Sequence, residues 1–99
     1  MRWNAESGVD EALGALFNPG FDPLTAAQDD ENVRKVLTFG ETVGALVRHH
    51  VLDAELISDV YWWEGIWRRV SHHALFARED SGEPRLYENF EALAAKTIG

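Results

Sequence analysis

The sequence predicts an all-α protein of four main helices and one short helix, in compact bundle-like or orthogonal packing. Three observations predict it. The stretch Asp59 to Arg78, DVYWWEGIWRRVSHHALFAR, holds three of the four tryptophans, and Trp63, Ile66, Trp67, Val70, Ala74 and Ala77 recur at the spacing of one helix face. From Val33 to Val51, apolar residues fill about half of a second helix circumference. No stretch shows the convincing period-two alternation of a half-buried strand.

Composition bounds the rest. At 99 residues, 45% hydrophobic and 26% charged, the chain is expected to form one globular domain over 1–99, with an acidic helix and linker at 1–30 and core helices at 31–99. The absence of cysteine excludes disulfides, thiolate metal sites and cysteine nucleophiles. No apolar run follows the basic start, and the longest apolar runs fall far short of the ~20 residues of a membrane span, so a cytoplasmic location without membrane contact is expected. A net charge of −8 repels phosphate backbones, so no direct nucleic-acid binding is expected either.

In chain order, Ser7 is the expected cap of a first helix, with Asp10 three residues on, and Val9, Leu13, Leu16 and Phe17 share its face. Asn18-Pro19-Gly20 stops it, and Phe21 and Leu24 are expected to anchor the linker. Asp29 or Asp30 caps the second helix, whose apolar arc runs through Val33, Val36, Leu37, Phe39, Gly40, Val43, Gly44, Leu46, Val47 and Val51. Each interior glycine costs ~1 kcal/mol relative to alanine, so Gly40 and Gly44 imply close approach by something bulky, and the tryptophans are the expected occupants. Asp53 caps a short helix through Ile57, a bend follows near Ser58-Asp59, and the tryptophan helix then runs on to a stop at Gly82. Pro84 suits the first position of the last helix, whose face is Leu86, Tyr87, Phe90, Leu93 and Ala94.

From Gly44 onward, GALVRHHVLDAELISDV, the tryptophan-rich helix and LYENFEALA together resemble a bacterial family of small all-helical proteins of unknown function. The resemblance rests on the leucine-valine and leucine-aspartate run, a downstream tryptophan and the closing Tyr-x-x-Phe-Glu-x-Leu-Ala, and it covers the last fifty to sixty residues. It implies the helical fold and carries over no functional residue. The family often has glycine near His49 or His50, so the double histidine is a departure.

No catalytic motif emerges. Ser7, Ser58, Ser71 and Ser81 lack a nucleophile-elbow setting, there is no glycine-rich phosphate loop, and Asp29-Asp30 and Glu79-Asp80 fit helix ends. In His49-His50 and His72-His73 the two rings of each pair point ~100° apart, so each pair offers one ligand per direction, and neither metal nor cofactor is expected. His50 falls in the apolar arc and His49 near the helix C-terminus. Arg68, Arg69 and Arg78 with His72 and His73 could form a basic strip, although Glu64 is spaced to pair with Arg68.

Opposite the Trp63 face lie Tyr61, Gly65, Leu75 and Phe76 among Arg68, Arg69 and His72, with Trp62 at the boundary. Either the chain's own segments cover this side as well, or it is an exposed aromatic and arginine patch of the composition enriched at protein interfaces. The expected function is a protein-protein interaction module or homo-oligomer using Tyr61, Trp62, Arg68, Arg69, His72, Leu75 and Phe76. An acidic inhibitor of a basic nucleic-acid-binding protein is the alternative, and a small hydrolase or metal protein the weaker one.

Overall fold

Two of the helix starts follow from aspartate side chains. In the computed structural model, which describes residues 8–96, the fold is all-α and these residues form five helices. Ser7, the expected first cap, lies outside them, and Gly8 at φ 74° precedes α1 (Val9–Leu16). The Asp30 carboxylate accepts from the Val33 amide at 3.0 Å and starts α2 (Glu31–Arg48). Asp53 accepts from the amides of Glu55 and Leu56 and starts α3 (Ala54–Val60). α4 (Trp63–Ser81) ends on Gly82 at φ 73°, a left-handed conformation that glycine adopts without strain. α5 (Glu88–Lys96) closes the described chain.

The helix that the others share is α2 rather than the tryptophan helix, because α2 packs against α1, α4 and α5. It buries Val33, Val36, Leu37, Phe39, Val43 and Val47 together with both glycines. The occupant of the glycine hollow is also not a tryptophan. A Cβ added at Gly40 would strike the Phe90 ring, and one at Gly44 would strike the Asn89 carbonyl. The two glycines therefore admit the start of α5, with Phe90 fully buried between α2 and α4. Trp63 reaches the same core from the other side, edge-on to Phe90 with ring centroids 6.1 Å apart, and its indole N–H donates to the Ile57 carbonyl of α3.

Glu41, which lies outside the apolar arc of α2, accepts from the Asn89 side-chain amide at 2.8 Å and from the Phe90 backbone amide at 3.0 Å. It thus caps the first turn of α5 from another helix. Arg78 secures the segment before it, donating from Nε to the Leu86 carbonyl and pairing with Glu91. Pro84 does not open α5. Residues 84–87 form turns, Tyr87 sits at φ 62°, and the helix starts only at Glu88. There Arg85 pairs with Glu88, and that hydrogen bond holds the Glu88 carboxyl below its ordinary range.

Helix ends account for two further corrections. α2 stops at Arg48, so Val51 is exposed rather than part of the apolar arc. His50 is exposed too, at φ 61°. Its amide donates to the Val47 carbonyl and that of Val51 to Leu46, the pair of bonds that ends a helix through a left-handed residue. Glycine is the easiest residue at such a φ, so histidine there carries a conformational cost. The bend expected at Ser58-Asp59 falls at Tyr61-Trp62 instead, since α3 continues to Val60. In the linker Phe21 packs against the core, whereas Leu24, the second expected anchor, is exposed. A different contact ties the linker down: the ring nitrogen Nε2 of buried His73 hydrogen-bonds the Ala27 carbonyl at 3.1 Å.

Candidate interaction surface

α4 has two unlike sides. One carries Trp63, Ile66, Val70 and Ala74 into the shared core, fixing the helix rigidly. The other, about half of the circumference, carries Gly65, Arg68, Arg69, His72, Leu75, Phe76 and Glu79. At its N-terminal end Trp62 lies over Gly65, where an added Cβ would strike the indole, yet the side chain remains 63% exposed. Phe17, from the end of α1, stacks on Trp62 with centroids 6.5 Å apart. The Arg69 guanidinium lies 5.2 Å from the Phe17 ring centre, a cation–π contact. Leu75 is 53% and Phe76 44% exposed farther along the helix.

The predicted set therefore divides. Trp62, Arg68, His72, Leu75 and Phe76 are exposed and Arg69 is half-buried, all on or beside the outer side of α4. Tyr61 is not part of it. Lying in the break between α3 and α4, it packs in the core against Phe39 and Trp63, with centroids at 5.4 and 5.2 Å. Two members of the basic strip also leave the surface, His73 being buried and Arg78 committed to Leu86 and Glu91. Arg68 pairs with Glu64 as its spacing requires. Phe17 is the addition that local spacing could not supply: it was assigned to the core face of α1 and instead extends the aromatic cluster. A second apolar strip, Leu56 and Val60 on α3, is 61% and 63% exposed; their four-residue spacing was its signal in the sequence.

Among the described residues, no group of three or more histidine, aspartate or glutamate side chains is placed to hold a metal ion. The Ser58 and Ser81 hydroxyls donate to helix carbonyls, of Ala54 and Arg78. A cavity of about 630 Å³ forms an open groove along α2 that places Arg34, Lys35, Thr38 and Thr42 above Val9 and Phe39. No described helix is long and apolar enough to cross a membrane.

Among known families, one model matches residues 7–97, and its description is a domain of unknown function (DUF4760). The match extends well upstream of the region in which the sequence resemblance was legible. No curated protein and no solved structure matches. The closing motif of the resemblance is accounted for by packing: Phe90 fills the glycine hollow, Glu91 pairs with Arg78, and Leu93 and Ala94 are buried.

Proposed function

The chain belongs to the DUF4760 family, whose description assigns no activity, and from its surface chemistry we propose that it works by binding another protein through the outer side of α4. The observation that carries this reading is the exposure of Phe17, Trp62, Leu75 and Phe76 around Arg68 and Arg69, on a helix whose opposite side is locked in the core. Large aromatic side chains lose area to a partner at small entropic cost, and arginine supplies directional donors, so this composition is typical of binding hot spots. Arg69, which has no ion-pair partner among the described residues, adds a donor for a carboxylate of the partner.

The test is retention on immobilised protein of either a tagged second copy or a protein from the producing cells. Phe76→Asp and Arg69→Glu should abolish retention while far-UV circular dichroism stays unchanged. Leu56→Asp, on the other exposed apolar strip, should leave it intact. Retention by the Phe76→Asp protein of everything that the unaltered protein retains would remove this reading.

A further inference from the structure

The outer side of α4 carries its charges in a self-complementary order. Arg68 and Arg69 lie toward its N-terminal end and Glu79 and Asp80 toward its C-terminal end. Each of the pairs Arg68/Glu79 and Arg69/Asp80 is separated by eleven residues, about three turns and ~16 Å. The members of a pair therefore share nearly the same lateral position on the helix. His72, Leu75 and Phe76 occupy the interval, all three exposed. Glu79 and Asp80 are exposed and have no ion-pair partner among the described residues, and Arg69 has none beyond its contact with the Phe17 ring.

We infer that this face binds a second copy of the chain, α4 against α4 in antiparallel order about a two-fold axis at the height of Ala74. The inference rests on the proposed interaction surface and names its partner. An axis perpendicular to the plane of two antiparallel helices reverses height and preserves lateral side. Arg68 then faces Glu79 of the second copy, Arg69 faces Asp80, and Phe76 faces His72, each twice. Four ion pairs flank an apolar centre in which Leu75 also loses exposure. A parallel arrangement instead sets arginine against arginine and carboxylate against carboxylate. Only the antiparallel register lets two chains of charge −8 approach through matched charges. One helix face ~16 Å long buries on the order of 500 Å² per copy, below the ~800 Å² per partner of a standard interface, so the dimer is weak and reversible.

Sedimentation equilibrium over concentrations up to about 1 mM decides it. The unaltered protein should pass from monomer to dimer. Arg68→Glu/Arg69→Glu and Glu79→Arg/Asp80→Arg should each remain monomeric with unchanged circular dichroism. An equimolar mixture of the two should form a one-to-one dimer, and the four-fold exchange in one chain should restore the homodimer, because only the order of the charges has been reversed. A monomer at all concentrations overturns the inference. So does a dimer indifferent to both charge reversals, or one that the exchange fails to restore. A monomer that still retains a foreign protein in a manner abolished by Phe76→Asp would end the self-pairing and leave the interaction surface standing.

Discussion

The close approach of α5 to α2 can be tested by a change of sign. Glycine within a helix costs ~1 kcal/mol relative to alanine, so on propensity alone Gly44→Ala should stabilise the protein. The structure requires the reverse. A Cβ at position 44 lies well inside 3.0 Å of the Asn89 carbonyl and at 3.0 Å from the Phe90 amide nitrogen, both backbone atoms that no rotamer change can move. Relief requires α5 to withdraw by about 1 Å, which costs ~1–3 kcal/mol in packing. The same shift strains the two hydrogen bonds to Glu41, which are worth about 1–1.5 kcal/mol each. After the propensity gain, the net loss is about 2–4 kcal/mol, a fall in Tm of roughly 10–25 °C for a chain of this size. Thermal and urea unfolding by far-UV circular dichroism measure it. Gly14→Ala is the matched control, since a Cβ there meets nothing within 4 Å, and it should add about 0.5–1 kcal/mol. A Gly44→Ala protein as stable as the unaltered one would refute the packing of α5 on the glycine face.

Further expectations concern single interactions. Glu41→Ala should cost about 1–3 kcal/mol by leaving the Asn89 and Phe90 donors without their acceptor, whereas Glu41→Gln, which keeps one oxygen, should cost less; chemical unfolding ranks the two. His50→Gly should stabilise by about 1 kcal/mol, because residue 50 ends α2 at φ 61°, and an equal or lower unfolding midpoint would count against that helix end. Arg85→Ala should let the Glu88 carboxyl rise toward its ordinary value, read by NMR titration. Because the folded carboxyl is the depressed form, whatever stability the Arg85–Glu88 pair contributes is present above the unfolded pKa and is lost as pH falls through the folded one.

What the sequence made legible was local. Asp30, Asp53 and Gly82 mark helix ends because capping chemistry acts over three or four residues. The arc from Val33 to Val47 survives as a core face because its period is a property of the helix itself. Gly40 and Gly44 announced a hollow, but a hollow does not name its filler, and Phe90 arrives from some fifty residues downstream. The role of Glu41 is illegible for the same reason: the amides it satisfies belong to another helix. Pro84 suits a helix start by its φ, yet Arg78 holds the Leu86 carbonyl in a turn and delays α5 to Glu88. On the surface, the wheel placed Arg68, His72, Leu75 and Phe76 together because they share one helix. It could not turn Tyr61 inward or bring in Phe17, since both depend on contacts between helices.

The break before α4 leaves two adjacent tryptophans in opposite surroundings, Trp62 with 63% of its surface in solvent and Trp63 with none. Indole emission follows the polarity around the ring, so neighbours in the chain become separate optical channels. Loss of the native fold perturbs Trp63, which is sealed beside Phe39 and Phe90. Occupation of the outer side of α4 shields Trp62 from a dissolved quencher while leaving Trp63 untouched. With Trp3 and Trp67 replaced by phenylalanine, the two remaining indoles would serve as label-free reporters, one of integrity and one of whether the exposed face is covered.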